Sequence, residues 1–169
     1  MPYELPDGES LNQRVSMEWE TPTHDEIVEI SKMHVAILES AESDQGWVMA
    51  GMHHVLLFTL GRRTRNLHRV ALPFWRDPDG VRVVIGSFAG ARSDPAWILN
   101  LHDREVNPGV KVKTQHGTYW AIHEFLIGEE RDDLWSRMTA DRAFYGDYQD
   151  TTERKIPMVR LPENEVIES

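Results

Sequence analysis

The sequence predicts an α+β fold: a small antiparallel barrel of six to seven short strands with attached helices. Three observations support this. Short runs rich in β-branched and aromatic residues recur at Trp47–Ala50, Val55–Leu60, Arg69–Trp75, Val81–Ile85, Val110–Thr114, Tyr119–Ile127 and Ile156–Leu161. Hairpin chemistry separates several of them, with Asp77-Pro78-Asp79-Gly80 and Gln115-His116-Gly117 as the clearest turns. Only a few stretches carry helical periodicity.

In chain order, residues 1–22 hold three prolines and isolated apolar positions, and read as an extended arm that Tyr3, Leu5 or Trp19 could anchor. Thr23-His24-Asp25-Glu26 fits a capping box, with Thr23 as N-cap and Glu26 at the third helical position. Ile27, Ile30, His34, Ile37, Leu38 and Ala41 then recur at helical spacing, predicting an amphipathic helix over 24–42. A second helix starts at Asp94-Pro95, where proline suits the first helical position, and runs to about Leu101. A third covers about Glu129 to Tyr148. Residues 23–161 are expected to form one domain, followed by an acidic tail over 162–169.

Composition narrows the function. A chain of 169 residues can bury roughly 70% of its unfolded surface in one core. Without cysteine there is no disulfide, thiolate metal site or cysteine nucleophile. The formal charge of -10 argues against general nucleic-acid binding, which needs a basic face. No apolar run approaches the ~18 residues that span a bilayer, and the N-terminus has no signal-peptide core. The expectation is a cytoplasmic monomer or homodimer, with peripheral membrane contact left open.

Against that acidic background, four arginines cluster after a strand in Leu60-Gly61-Arg62-Arg63-Thr64-Arg65-Asn66-Leu67-His68-Arg69. Guanidinium forks match phosphate and carboxylate oxygens two bonds at a time, so the segment reads either as an anion pocket or as a solvated basic turn. Gly86-Ser87-Phe88-Ala89-Gly90-Ala91 leaves another strand as a small-residue loop, suited to a flat ring or to a plain strand exit. Trp97 stands in the first turn of the second helix, whose N-terminus offers N–H groups to an anion. Tyr145 and Tyr148, three apart, share one helix face and could serve a reducible substrate or simple packing. Dinucleotide-fold, phosphate-loop and hydrolase-elbow motifs are absent. His53 and His54 are adjacent, hence on opposite faces of a strand, and no metal site is expected.

Taken in order, these pieces resemble the deazaflavin-dependent nitroreductase family. The residues that carry the resemblance are Leu56 to Thr64, Arg69, Ser87 with Gly90-Ala91, Pro95 to Leu101, Asn107-Pro108, and Tyr145-x-x-Tyr148-Gln149-x-x-Thr152-x-Arg154-x-Ile156-Pro157. The resemblance spans about residues 47–161. It implies a split β-barrel of the FMN-binding type and reliance on coenzyme F420, a 5-deazaflavin bearing a phosphodiester and an oligoglutamate tail. It also implies a function: hydride transfer from reduced F420 to a small electron-poor acceptor such as a quinone, enone or nitroaromatic. By the same resemblance Arg62, Arg63, Thr64 and Arg69 would hold the phosphate and acidic tail. Gly86, Ser87 and Phe88 would line the ring, and Pro95, Ala96, Trp97, Ile98 and Leu99 would close its other side. Tyr145, Tyr148 and Ser87 would serve catalysis, and Phe74 would be a further pocket aromatic. Phe88 stands where the family commonly has a basic residue. An FMN or FAD enzyme on the same barrel, or a non-catalytic carrier of a cofactor or fatty acid, remain the alternatives.

Overall fold

The computed structural model describes residue 12 and residues 24–40, 44–49 and 51–168. The arm apart from Asn12, and the Thr23 cap, lie outside the described residues. The elements run α1 His24–Ser40, a 3-10 turn Asp44–Trp47, β1 Val48–Met49, β2 Met52–Leu60, β3 Leu67–Arg76, β4 Arg82–Ile85, a 3-10 turn Phe88–Gly90 and α2 Ala96–His102. They continue with β5 Val110–Thr114, β6 Gly117–Ala121, β7 Glu124–Phe125, α3 Gly128–Asp141, α4 Phe144–Asp150, β8 Met158–Leu161 and β9 Glu165–Glu168.

The strands form one curled antiparallel sheet in the order β7-β8-β4-β3-β2-β5-β6-β9, with β1 added to β2. This is the expected α+β split barrel, with nine strands among the described residues in place of six to seven. The predicted strand Tyr119–Ile127 breaks into β6 and β7. The last strand comes from the segment expected as an acidic tail. There Tyr119 and Trp120 of β6 pair with Val166 and Glu165 of β9.

Alternation along β2 and β3 assigns each face a role. Val55 and Leu57, with Leu72 and Phe74, point into the barrel, where they meet Ile98 and Leu101 of α2 and Val110, Val112 and Val159. On the opposite face, Leu56 joins Leu38 of α1 and Trp47. Farther along the outside, Trp75, Val83 and Ile85 pack against Leu134 and Met138 of α3 and Tyr145 of α4. Burying each such side chain contributes about 1.5–3 kcal/mol. Phe74, expected at the pocket, is a barrel-core residue beneath the Arg82 guanidinium, 5.0 Å from its ring.

The expected helix over 129–148 is two helices, because Arg142 leaves the helical conformation at φ -139° and turns inward. Its guanidinium is fully buried and donates to the Phe74 carbonyl at 2.7 Å. A backbone carbonyl inside the fold needs such a donor, and no regular helix through residue 142 would deliver it. Asn12 similarly brackets Arg76, accepting from its N–H at 2.7 Å and donating to its carbonyl at 2.8 Å.

Under α1, His34 and His54 meet edge to face at 4.6 Å, each held to a backbone carbonyl, of Gly46 and Met52 respectively. Burial, helped by neighbouring His34, Arg142 and His53, lowers the His54 pKa to about 3. Between that value and the ordinary 6.5 the unfolded chain binds a proton that the native chain refuses. The stabilisation is therefore complete above pH 6.5 and is lost as pH falls towards 3. His54→Gln, which keeps a polar side chain but cannot titrate, should flatten this loss by up to about 1.4 kcal/mol per pH unit. Denaturant unfolding at pH 4.5 and 7 checks it; equal pH dependence in both proteins would contradict the assignment.

Candidate functional site

A cleft of about 640 Å³ opens where β3 runs on without a second neighbour. Residues Leu67–Pro73 pair with β2 on one edge, whereas β4 pairs only with Phe74–Arg76. Among the described residues no strand covers the other edge of Leu67–Pro73, and His68 to Pro73 line the cleft there. The volume lies in the ~300–1,000 Å³ range of small-molecule sites.

The wall facing that edge is the loop between β4 and α2. Ser87, Phe88, Pro95, Ala96 and Trp97 line it. Phe88 holds φ +43°, a left-handed conformation costly for a phenylalanine, so the surrounding structure must impose it. Arg154 does so. Its guanidinium donates to the carbonyls of Ser87 at 2.6 Å, Ala91 at 2.7 Å and Gly86 at 3.0 Å, and to Asp94 Oδ1 at 2.7 Å. Burial lowers the Arg154 pKa, and Asp94 opposes that shift. Gln149 of α4 fixes the segment bearing Arg154, donating to its carbonyl at 2.7 Å and accepting from Ile156 N–H at 2.9 Å. The motif around Arg154 was visible in the sequence; its task was not.

Two expected ring contacts serve packing instead. A Cβ on Gly86 would lie 2.7 Å from the Ile98 side chain and 2.8 Å from the Pro157 ring, so Gly86 permits close approach within the protein. Ile98 is wholly buried in the barrel core, and Leu99 is exposed away from the cleft. The helix begins at Ala96 with Pro95 as its cap, one residue later than expected, and Trp97 and Asn100 line the cleft.

The four arginines of the loop after β2 differ. Arg69 lines the cleft but is ion-paired with Glu39 of α1 at 2.7 Å. Arg63 and Thr64 are exposed beyond the lining. Arg62 is half buried; its guanidinium and its backbone N–H both donate to Asn100 Oδ1 at 3.2 Å. The loop closes on itself through Gly61 N–H to the Asn66 carbonyl and Arg65 N–H to the Gly61 carbonyl, both 2.8 Å. Arg65 takes φ +60° to do so.

The far end is aromatic. Phe144, Tyr145 and Tyr148 line it, with ring separations of 4.2, 5.7 and 6.2 Å. Burial raises the Tyr145 pKa to about 12, so this phenol stays protonated at neutral pH. Tyr148 is the more accessible of the two. Helix α1 adds Ile30, Lys32 and Val35 to the wall, residues that helical periodicity alone did not assign to a site. No cluster of three or more potential metal ligands occurs among the described residues. No described helix is long and apolar enough to cross a membrane.

A family model for F420H(2)-dependent quinone reductases matches residues 30–163. The chain belongs to that family. Similar solved structures agree in fold. An F420-H2 dependent reductase is 26% identical, with a TM-score of 0.54 over 64% of this chain and 93% of its own. A domain-swapped dimer is 25% identical, with a TM-score of 0.57 over 83% of this chain and all of its own. A protein of unknown function from Agrobacterium tumefaciens, 16% identical, shares the fold at a TM-score of 0.55 over 70% of this chain and 51% of its own. Of the cofactors left open by the sequence, family membership selects F420 over FMN, and an oxidoreductase over a carrier. The donor set fits that group: a cleft lined mainly by apolar and aromatic residues also carries Arg69, and Asn100 in its wall holds the neighbouring Arg62.

Replacing Arg154 leaves three carbonyls and Asp94 without their shared donor. Arg154→Gln should cost about 2–4 kcal/mol of stability, measured by chemical denaturation. A loss below about 0.5 kcal/mol would mean that the loop holds itself.

Proposed function

We propose that the cleft binds F420 with its ring between the open edge of β3 and the Ser87–Trp97 wall. Its phosphodiester and acidic tail extend over the Arg62–Arg65 loop. The observation that supports this reading is one cleft running from Arg69 and Asn100, whose amide oxygen holds the half-buried Arg62 beside it, to the tyrosines at its far end. When bound in reduced form, the cofactor supplies a hydride. Pro95, Ala96 and Trp97 position the flat ring and exclude water from one side. Ile30 and Val35 of α1 with Ala71 and Pro73 offer the acceptor an apolar wall.

In this reading the acceptor is a quinone, with enones and nitroaromatics as weaker alternatives. A quinone carbonyl that gains a hydride's electrons must also gain a proton. Tyr148 donates it from its hydroxyl and recovers one from solvent, with Ser87 as a further hydrogen-bonding group at the ring. Tyr145, held neutral by burial, orients Tyr148 through the aromatic cluster. We place the protein in the cytoplasm as a monomer or homodimer; the domain-swapped dimer among its structural relatives supports the two-chain form.

Tyr148→Phe keeps the ring and removes the hydroxyl. Oxidation of reduced F420 with a soluble quinone should slow about 10²–10⁴-fold, with F420 affinity changed little. A change confined to the acceptor's KM would make Tyr148 a binding residue only.

Arg69 offers a second test. Glu39 competes with any cofactor carboxylate or phosphate for that guanidinium, across an ion pair that is largely solvent-exposed. Glu39→Gln should therefore tighten F420 binding by roughly two- to fivefold, the equivalent of an exposed pair. Weaker binding by the variant would place Arg69 outside the anion site.

A further inference from the structure

Asn100 stands where the two halves of the site meet: on α2, lining the cleft beside Trp97, with its side chain buried against the arginine loop. Its amide accepts from both the N–H and the guanidinium of Arg62 and donates to Thr59 Oγ1, each at 3.2 Å. Asn107 shares with Asn100 the work of joining α2 to the end of β2. That side chain brackets Leu60, accepting from its N–H at 2.8 Å and donating to its carbonyl at 2.8 Å. It also donates to the Asn100 carbonyl at 3.0 Å. Both bonds to the Asn100 oxygen come from Arg62.

We propose that Asn100 is a positioning residue that aims Arg62 at the anionic arm of the cofactor while leaving its charge intact. This rests on the reading of the arginine loop as the anion-binding end. The choice of an amide is the informative point. A carboxylate in the same place would hold the guanidinium better and cancel its charge, as Glu39 does for Arg69. A neutral acceptor uses a small part of a five-donor fork and leaves the rest for an incoming oxyanion. Because the Arg62 N–H is bound to the same oxygen, the root of the side chain and its head are fixed together. Less rotamer freedom remains to be lost when the anion binds.

The test is equilibrium titration of the purified protein with F420 and, in parallel, with the same deazaflavin truncated before its phosphodiester. Asn100→Leu should weaken F420 about tenfold and leave the truncated ligand within about twofold. Asn100→Asp, which keeps the shape and places a charge on Arg62, should weaken F420 at least as much and again spare the truncated ligand. Arg62→Ala should match the loss in Asn100→Leu, and the double variant should lose no more than either single one. Equal weakening of both ligands would make Asn100 part of the ring wall or of the fold, and overturn the proposal. Additive losses, or wild-type F420 affinity in Asn100→Asp, would overturn it too. If Arg62→Ala bound F420 like the wild type, both the proposal and the reading of the loop would fall. A loss in Arg62→Ala without one in Asn100→Leu would remove the proposal alone.

Discussion

Strand β3 changes partners along its length, and the site exists because of it. Its last residues pair with β4, while Leu67–Pro73 keep only β2. An unpaired strand edge normally invites aggregation. Here it is roofed by α1 on one side and by the loop after β4 on the other, leaving room for a ligand between them. Pro73, which lacks an N–H, sits within this edge, and Arg142 supplies the donor that the next residue's carbonyl requires. The cleft is thus a consequence of strand pairing, with side chains shaping it afterwards.

Arginine does most of that shaping in an otherwise acidic chain. Arg154 and Arg142 are spent inside the protein on backbone carbonyls, where a planar five-donor head satisfies several acceptors at once. Arg62 is oriented by a neutral amide, and Arg69 is neutralised by a carboxylate. These four environments separate residues that look alike in a list. The clamp by Arg154 also explains why a phenylalanine tolerates a left-handed backbone at position 88: the carbonyls on both sides of it are held.

Much of this was legible in the sequence wherever the signal was local. The Gly61–Arg65 turn, the small-residue loop, the Pro95–Trp97 segment and the tyrosine pair all announce themselves through neighbours a few residues away. Ser87, Phe88, Pro95, Ala96, Trp97, Tyr145 and Tyr148 do line one cleft. What stayed hidden depends on partners distant in sequence. Glu39 lies 30 residues from Arg69, and β9 looks like a polar tail until β6 offers it an edge. Gly86 resembled a ring contact, yet its missing side chain makes room for Ile98 and Pro157. Arg142 fell within a helical pattern because periodicity does not show that a carbonyl inside the barrel needs its guanidinium.

Binding of F420 in the cleft beside β3, with its anionic end over the arginine loop, is the central claim. Hydrogen–deuterium exchange with and without F420 reads this directly, since both the open strand edge and the loop carry backbone amides. Slower exchange at residues 62–72 and 87–100, with residues 110–121 and 158–168 unchanged, is the predicted result. Protection confined to the β5–β6–β9 side, or protection of the β3 edge without the loop, would contradict it.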